Sequence, residues 1–474
     1  MIPVLQERWR VKDNFLIYFG LRRQPDTFKN RIKISSRTAA FIDALDGVRC
    51  IEEYNEHRIT KEIMRLIEQK IIVDINERII IPDSFSQARF CVKCCANDFV
   101  IPGLELDKEG ICPICNAYPE IKRLISPLPV INILPETPSA RFDVALFYSG
   151  GKDSSYLLYY LCRILGLRVL ALTWKHPFMS ENALNNIQKA KELLPEVTFV
   201  IREAPKDNLR NIYAKCYEQQ RNVCICPSLA YILFFPILID NSVPYLVLGN
   251  EPAQSKALIF NRLAPRTLYK PGTKKFLRFL YNAGRMLMLR KPFKEGQLEM
   301  YMTIKKLAFG NKGLSKIFGL DNDIINNLFE SLAQAPELLV PLQKSVQRSK
   351  KDGILPALVH IDFNALSDTG SYDWQSIKKV LHNELNWEDA AKEKGLHTSC
   401  LIERCKEYSQ LSDFRSMKSE IIPFSALELS IAVIQGSITR EKAITEMKTQ
   451  CGFTKTTPKE TKLITDFIKQ KNAD

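Results

Sequence analysis

The sequence predicts an α/β fold: a doubly wound parallel sheet, preceded by a small winged-helix-like module and a four-Cys zinc module, and followed by a mostly α-helical region. Short apolar runs without polar alternation, typical of strands covered on both faces, recur after residue 140 and are separated by amphipathic helical stretches. Two C-x2-C pairs ahead of the first run indicate a metal module. The composition, 46% apolar and 25% charged, excludes collagen, coiled coil and wholesale disorder.

Residues 1–88 form the first predicted module. Apolar residues at helical spacing predict helices over Ser35–Asp46 and Lys61–Lys70, and two short strands around a turn are expected within Ile71–Pro82. This order of helix, helix and wing resembles the PqqD-like winged-helix domains, which recognise a leader peptide in peptide-modifying systems. The resemblance implies a peptide or protein partner for residues 1–88, while DNA binding or scaffolding fits the same residues.

Residues 89–125 form the predicted zinc module. Its four cysteines are arranged as C-x2-C, a gap and C-x2-C, so that two tight turns present four thiolates to one tetrahedral ion. The predicted ligands are Cys91, Cys94, Cys112 and Cys115. Four protein ligands fill the coordination sphere of Zn²⁺, so this site is expected to be structural.

Neither a signal peptide nor a transmembrane segment is predicted. Charged residues interrupt Met1–Lys12, and no run approaches about 18 uninterrupted apolar residues. We therefore expect a cytoplasmic protein, in which cysteines serve metal or thiol chemistry rather than disulfides.

The sheet domain is predicted over residues 140–260, after a proline-rich linker at residues 116–139. Its strands are expected at Phe142–Tyr148, Arg168–Thr173, Val197–Ile201 and Pro244–Leu248. Its helices are expected at Ser154–Leu165, Asn182–Leu194 and Leu209–Gln219. Ligands of such sheets bind at the carboxyl ends of the strands, and the candidates there are Thr173, Trp174, Gly249 and Asn250.

The first strand of this domain leads into the segment Ser149–Ser155, with the sequence SGGKDSS. Two glycines allow a tight turn whose N–H groups face an anion, and the following helix adds the positive end of its dipole. This spacing differs from the Walker A loop, G-x4-G-K-[ST].

The SGGKDSS segment resembles the loop of the PP-loop (N-type ATP pyrophosphatase) enzymes, which have a HUP-like sheet. These enzymes cleave ATP between the α and β phosphates, place AMP on a carbonyl oxygen and let a nucleophile displace it. The resemblance implies an ATP site with Mg²⁺. It also implies that Lys152 neutralises the departing pyrophosphate and that Asp153 positions Mg²⁺, which makes these two residues the catalytic candidates. The predicted residues of the ATP site are Ser149, Gly150, Gly151, Lys152, Asp153, Ser154, Thr173 and Gly249.

The region ahead of the loop narrows the resemblance to the N-acetyl sugar amidotransferases of bacterial surface-polysaccharide biosynthesis. A cysteine pair, a hydrophobic stretch, a D-x-x-G-x-C-x-x-C segment beginning at Asp107 and the PP-loop follow in that family's order, and residues 436–447 resemble its closing helix. The resemblance implies a sugar-nucleotide substrate whose N-acetyl oxygen is adenylated and replaced by ammonia. Because no glutaminase arrangement of Cys and His is found, a separate glutaminase subunit is expected to supply the ammonia.

Two alternatives remain open. Cys224 and Cys226 form a C-x-C pair, and Cys400 and Cys405 lie beside His397, which suits a PP-loop sulfurtransferase that thiolates tRNA or a small molecule. In such enzymes the cysteines carry a persulfide or hold an iron–sulfur cluster, and the protein's net charge of +14 would serve tRNA phosphates. In the second alternative, the catalytic domain modifies a peptide or protein recognised by residues 1–88.

The last predicted region, residues 261–474, is basic and mostly helical. Residues 261–316 contain 14 basic and two acidic residues, a block that attracts a nucleic acid, an acidic membrane face or a phosphate-bearing substrate. Helical spacing covers Leu320–Gln347 and Trp374–Lys394, and Thr439 is the expected N-cap of a helix near the end of the chain. We expect a lid over the catalytic site or a dimerisation region here.

Overall fold

The computed structural model describes residues 1–18, 31–124, 126, 140–218, 225–249, 251–260, 269–310, 329–364, 372–389, 399–402, 424–449 and 460–470. Within this part of the chain, a five-stranded, fully parallel sheet is the centre of the fold. Its strands are β6 (Val144–Phe147), β7 (Val169–Trp174), β8 (Thr198–Arg202), β9 (Tyr245–Leu248) and β10 (Ala357–His360).

The spatial strand order, β10-β9-β6-β7-β8, confirms the predicted doubly wound sheet. The chain first winds from β6 outward to β8 and then returns to the other side of β6 to form β9 and β10. The direction of winding therefore reverses between β6 and β9, and a crevice opens there at the carboxyl ends of the strands. Among the predicted elements, the four strands from β6 to β9 are all present.

Helices cover both faces of the sheet because successive residues of each strand point into different cores. Val144 and Leu146 of β6 pack into one core with α4, α5 and α8, whereas Ala145 packs into the other with α6, α7 and α10. These helices are α4 (Lys152–Tyr159), α5 (Glu181–Leu193), α6 (Lys206–Glu218), α7 (Cys226–Asp240), α8 (Pro252–Phe260) and α10 (Gln297–Phe309). One π-helical turn, Tyr160–Ile164, extends α4.

The sheet includes a strand that the sequence does not predict. β10 lies in the region expected to be mostly helical, yet it pairs in parallel with β9 from Ala357 opposite Tyr245 onward. The sequence-based boundary after residue 260 therefore cuts through one sheet.

The N-terminal residues form a separate small core around Trp9, Phe41 and Ile63. Its elements are β1 (Pro3–Leu5), β2 (Trp9–Lys12), β3 (Phe15–Tyr18), β4 (Arg31–Lys33), α1 (Ser36–Asp43), α2 (Lys61–Glu68) and β5 (Ile72–Asp74). Ser35 and Thr60 cap α1 and α2, because each side chain accepts a hydrogen bond from a backbone N–H three residues later in the chain. The donors are Thr38 and Ile63.

The predicted wing within Ile71–Pro82 is wrong in its second strand. Asp74 caps a 3-10 turn at Ile75–Glu77 and so prevents a tight hairpin, and residues 78–82 are irregular. β5 pairs instead with β1, and the antiparallel sheet β2-β3-β4 precedes the helices.

The four-cysteine module packs on the body of the protein and on helices near the end of the chain. Its helix α3 (Pro113–Lys122) shares one apolar core with the sheet and with α14 (Phe424–Ile434). Arg440, at the start of α15 (Arg440–Thr449), donates to the backbone carbonyls of Cys91 and Cys94 at 3.0–3.2 Å. Thr439 caps α15 as predicted, because its Oγ1 accepts a hydrogen bond from the Lys442 N–H.

The remaining helices lie in the C-terminal half. They are α9 (Pro271–Leu287), α11 (Phe329–Leu332), α12 (Leu339–Asp352), α13 (Trp374–Leu385) and α16 (Glu460–Lys469). The helix predicted over Trp374–Lys394 ends early, because Asn386 takes a left-handed conformation with φ 47°. Of the helix predicted over Leu320–Gln347, residues 320–328 lie outside the described residues. None of the described helices has the length and apolar character required to cross a bilayer.

Candidate active site and metal site

The SGGKDSS segment lies where the sheet reverses its winding, between the end of β6 and the start of α4. Gly150 has φ 73°, and a Cβ atom there would lie 2.4 Å from the carbonyl oxygen of Ala183 and 3.1 Å from Cγ1 of Ile187. A side chain is therefore excluded on steric and conformational grounds. Gly151 is the N-cap of α4, and no side chain caps this end of the helix.

Serine hydroxyls and flanking side chains hold the loop in shape. The Oγ atoms of Ser149 and Ser154 lie 3.1 Å apart, and Ser154 Oγ donates to the Gly151 carbonyl at 3.1 Å. On the outer side, Trp387 Nε1 donates to the Gly150 carbonyl at 3.0 Å. The loop is thus rigid before any ligand arrives, as a preorganised anion site requires.

Lys152 and Asp153 belong to a buried charge cluster. The Nζ atom of Lys152 lies 2.5 Å from Oδ1 of Asp153 and 3.4 Å from Oε2 of Glu251, which directly precedes α8. The Lys152 side chain is 12% exposed, and that of Glu251 is 1% exposed. Burial opposes the charge on Lys152, but the charges of Asp153 and Glu251 outweigh it and raise the pKa of Lys152. Lys152 is therefore protonated and positively charged within the site.

Two aromatic residues close this cluster. Tyr372 OH donates to Oδ1 of Asp153 at 2.7 Å, and Trp374 Nε1 donates to Oε2 of Glu251 at 2.5 Å. Their rings lie 4.6 and 4.7 Å from Lys152 Nζ, within cation–π distance. Burial, together with the charge of Asp153, holds the pKa of Tyr372 well above its usual value, so its hydroxyl stays a donor.

The cluster fits a magnesium–phosphate ligand. Mg²⁺ prefers carboxylate oxygens and usually completes its coordination with water and substrate phosphates. Asp153 and Glu251 supply two such carboxylates around one lysine. These residues are the ones that would hold Mg²⁺.

The other predicted nucleotide contacts have different surroundings. Thr173 is buried, and its hydroxyl donates to the Tyr148 carbonyl at 2.8 Å, so this side chain joins β7 to β6. A Cβ atom on Gly249 would lie 3.2 Å from Leu157, which shows how closely the end of β9 approaches α4. Trp174 is buried, and Asn250 lies outside the described residues.

Four side chains around the loop were missed from the sequence: Glu251, Gln254, Tyr372 and Trp374. A signal existed for Glu251 and Gln254, because they follow the strand next to β6, where the sheet reverses. Gln254 Nε2 donates to Asp153 at 3.5 Å. Tyr372 and Trp374 carry no local signal, because only the tertiary fold brings them to Asp153 and Glu251.

Of the predicted thiols, Cys400 directly follows a residue near the loop, Ser399. Cys400 forms an isolated antiparallel bridge with Met179, and the Ser399 carbonyl accepts from the Ser180 N–H at 3.3 Å. The Oγ atom of Ser399 lies 3.7 Å from the position that a Gly151 Cβ would occupy. The Cys400 side chain is partly exposed.

The remaining predicted thiols are only partly described. Cys226 starts α7, is half-buried and packs against the same apolar core as Cys400. Cys224, His397 and Cys405 lie outside the described residues.

The four predicted metal ligands come together. The Sγ atoms of Cys91, Cys94, Cys112 and Cys115 all lie within 4.8 Å of one another. The Sγ–Sγ distances are 3.7 Å for Cys91–Cys115 and 3.6 Å for Cys94–Cys112. A tetrahedral ion with metal–sulfur bonds of about 2.3 Å requires about 3.8 Å between sulfurs. This part of the chain is therefore a four-sulfur metal site.

Backbone N–H groups orient these thiolates. Cys91 Sγ accepts from the N–H groups of Lys93 and Cys112 at 3.4 and 3.3 Å, and Cys94 Sγ accepts from Ala96 at 3.4 Å. Such bonds stabilise negative sulfur. Cys95 is not part of the set, since its Sγ lies 3.7 Å from Ser430 Oγ on α14.

The strand order and the position of the glycine loop at the sheet's point of reversal define a doubly wound α/β protein. A four-sulfur metal site stands ahead of the sheet. No family model and no curated protein matches the chain. Among solved structures, the chain is similar to the U34-tRNA thiolase NcsA from Methanococcus maripaludis with its [4Fe-4S] cluster, at 16% identity. The match covers 64% of this chain and 99% of that chain, and its TM-score is 0.22.

Proposed function

We propose that the chain is an ATP-dependent enzyme of the PP-loop type, which forms AMP and pyrophosphate. The observation that carries this proposal is the position of the SGGKDSS loop at the sheet's point of reversal, with Lys152 held between the carboxylates of Asp153 and Glu251. A carbonyl oxygen of the acceptor attacks the α-phosphorus, and the bond to the bridging oxygen of the β-phosphate breaks. The pyrophosphate leaves with the electron pair of that bond.

The residues of the site serve this reaction in distinct ways. The loop N–H groups and the Lys152 ammonium stabilise the charge that accumulates on pyrophosphate. Asp153 and Glu251 would hold Mg²⁺, which would supply further charge neutralisation for the departing pyrophosphate. Tyr372 and Trp374 orient the two carboxylates and exclude water from an adenylated acceptor that would otherwise hydrolyse.

For the second step we propose that sulfur displaces AMP, as in the sulfurtransferase alternative. The supporting observation is that Cys400 directly follows Ser399, whose Oγ lies 3.7 Å from the position that a Gly151 Cβ would occupy. A sulfur-donor protein would load Cys400 as a persulfide, whose outer sulfur attacks the adenylated carbon and expels AMP. A second thiol then attacks the inner sulfur to release the thiocarbonyl product, and an external thiol reduces the resulting disulfide. The acceptor is a tRNA or a small molecule, and the protein's net charge of +14 favours the approach of a phosphate-bearing acceptor.

The sugar amidotransferase hypothesis, with ammonia from a glutaminase subunit, is the alternative. The residues that carry its resemblance have a structural explanation: Asp107 Oδ1 accepts from the N–H groups of Glu109 and Ile111 at 3.0 and 2.8 Å and so shapes the turn before Cys112. A turn of this kind serves any four-thiolate site and carries no information on the acceptor. A peptide or protein partner for residues 1–88 stays a prediction.

The experiment follows the two steps separately. With tRNA and a persulfide donor, the enzyme should convert ATP to AMP and pyrophosphate. Lys152→Met should lower the rate of this reaction by more than about a hundredfold. Cys400→Ser should abolish thiolation but retain slow AMP release through hydrolysis of the adenylate, while Cys50→Ser, an exposed cysteine of the N-terminal module, should change neither. Formation of ADP and phosphate would refute the adenylation proposal. Full activity of Cys400→Ser with ammonia and a sugar nucleotide would refute sulfur transfer and support the amidotransferase.

A further inference from the structure

Helix α9 presents an apolar face to solvent. The inner side of this helix is fixed: Leu277 is buried, and Asn282 exchanges two hydrogen bonds with the backbone of Phe293 at 2.7 and 3.2 Å. Arg285 lies 3.9 Å above the Phe293 ring. The orientation of α9 is therefore set by the protein body, and its opposite side faces outward.

The outward side consists of large apolar residues at helical spacing. Phe279, Leu280 and Leu287 are 67%, 40% and 87% exposed. The turn that follows the helix continues this surface, with Met288 at 58% and Leu289 at 97% exposure. Leu289 has φ 54°, a conformation that a bulky residue rarely adopts, and it directs an apolar side chain into water. A contiguous exposed surface of this kind marks an interaction site.

The charge around this surface has one sign. Between residues 269 and 294 the chain has eight basic residues and no acidic one. Lys275, Lys291 and Lys294 are exposed, so cations stand beside the helix and just after it. Arg278 pairs with Glu295, and Lys274 donates to the Ser126 carbonyl. The cations that face water select an anionic occupant.

We propose that α9 and the following turn, residues 271–291, dock on an anionic lipid bilayer, with the helix lying in the plane of the interface. An amphipathic helix with basic flanks and exposed Phe, Leu and Met sinks its apolar side to the boundary of headgroups and acyl chains. A second copy of the chain fits less well, because it would bring the same cations face to face. The phosphates of an RNA would pair with the cations, but an RNA has no hydrocarbon region in which Leu287 and Leu289 could be buried.

The test uses the full chain and vesicles of phosphatidylcholine with or without phosphatidylglycerol. Sedimentation should show binding only to the vesicles that contain phosphatidylglycerol, and added salt should weaken it. The double variant Leu287→Gln/Leu289→Gln should lower the partition constant by about tenfold for each leucine. Its matched control, Val48→Gln/Ile80→Gln, replaces side chains that are 75% and 82% exposed on the N-terminal module and should bind normally.

Three results would overturn the proposal. One is the absence of wild-type binding to the anionic vesicles, and another is equal binding by the double leucine variant. The third is that the wild type binds neither type of vesicle but self-associates or binds RNA, and that the double leucine variant loses this interaction. Because all four substituted side chains lie mostly in water, circular dichroism and melting temperature should be unchanged in both variants.

Discussion

Gly150 offers the sharpest test of the loop, because the chain contains a matched control. Gly150 and Gly166 have similar positive φ angles, 73° and 64°, but a Cβ atom on Gly166 would meet nothing within 4 Å. Alanine at Gly166 therefore adds only the cost of the left-handed conformation, about 1 kcal/mol. Alanine at Gly150 adds the same cost and, in addition, a contact of 2.4 Å with the Ala183 carbonyl on α5.

The free-energy cost of the contact with the Ala183 carbonyl depends on which part of the structure has to shift. The Ala183 oxygen is helix backbone, so either the loop or α5 has to shift, at about 1–3 kcal/mol for an overpacked site. We expect Gly150→Ala to lower the free energy of unfolding by about 2–4 kcal/mol and Gly166→Ala by about 1 kcal/mol. A displacement near 1 Å also misaligns the loop amides, which costs about a hundredfold in turnover.

Urea unfolding measures the stability of both variants, and calorimetric titration with Mg²⁺ and ATP measures nucleotide binding. Gly150→Ala should bind ATP weakly at a temperature where it remains folded, whereas Gly166→Ala should bind it like the wild type. Equal ATP affinity in the two variants would refute the assignment of this loop as the phosphate site.

Two further predictions concern the metal site and a buried lysine. Cys94→Ser should lose the bound metal and more than about 3 kcal/mol of stability, whereas Cys95→Ser, at the neighbouring buried thiol, should keep its full metal content. Metal analysis measures this content, and together with visible absorption it distinguishes zinc from iron. Loss of metal in Cys95→Ser alone would contradict the ligand set. Burial lowers the pKa of Lys256 from 10.5 to about 8 while its Nζ donates to the Ile121 and Leu124 carbonyls. Because the unfolded chain binds this proton more tightly, the free energy of unfolding should rise between pH 8 and 10.5, and Lys256→Met should flatten that rise in urea titrations. An unchanged slope in Lys256→Met, or the same flattening in the exposed-lysine control Lys191→Met, would contradict this.

What the sequence predicts well is local or repeated. The four cysteine ligands lie in two short turns, so their spacing alone determines the site. The strands β6 and β7 are largely apolar and buried, as expected of a sheet covered on both faces, whereas β8 at the edge of the sheet is only partly buried. Gly150 and Gly151 stand between such a strand and a helix, and this context makes the loop recognisable.

What the sequence does not predict depends on long-range pairing. β10 is as long as β6 and β9 but lies in a region of predicted helices, and its pairing with β9 is what places it in the sheet. The supposed wing strand at residues 78–82 has the right composition, but β1 takes its place beside β5. Tyr372 and Trp374 reach the loop from a different part of the chain, and only the packing of α13 on α4 brings them there.

The hydrogen bonds from Arg440 to the cysteine turns have a consequence for biosynthesis. Cys91 and Arg440 are 349 positions apart in the sequence, so all four cysteines are synthesised long before Arg440. The four cysteines are therefore complete as a set before the helices that cover their turns have been made. A chain that ended before α14 would retain all four cysteines but lack one side of the apolar core that α3 shares with the sheet.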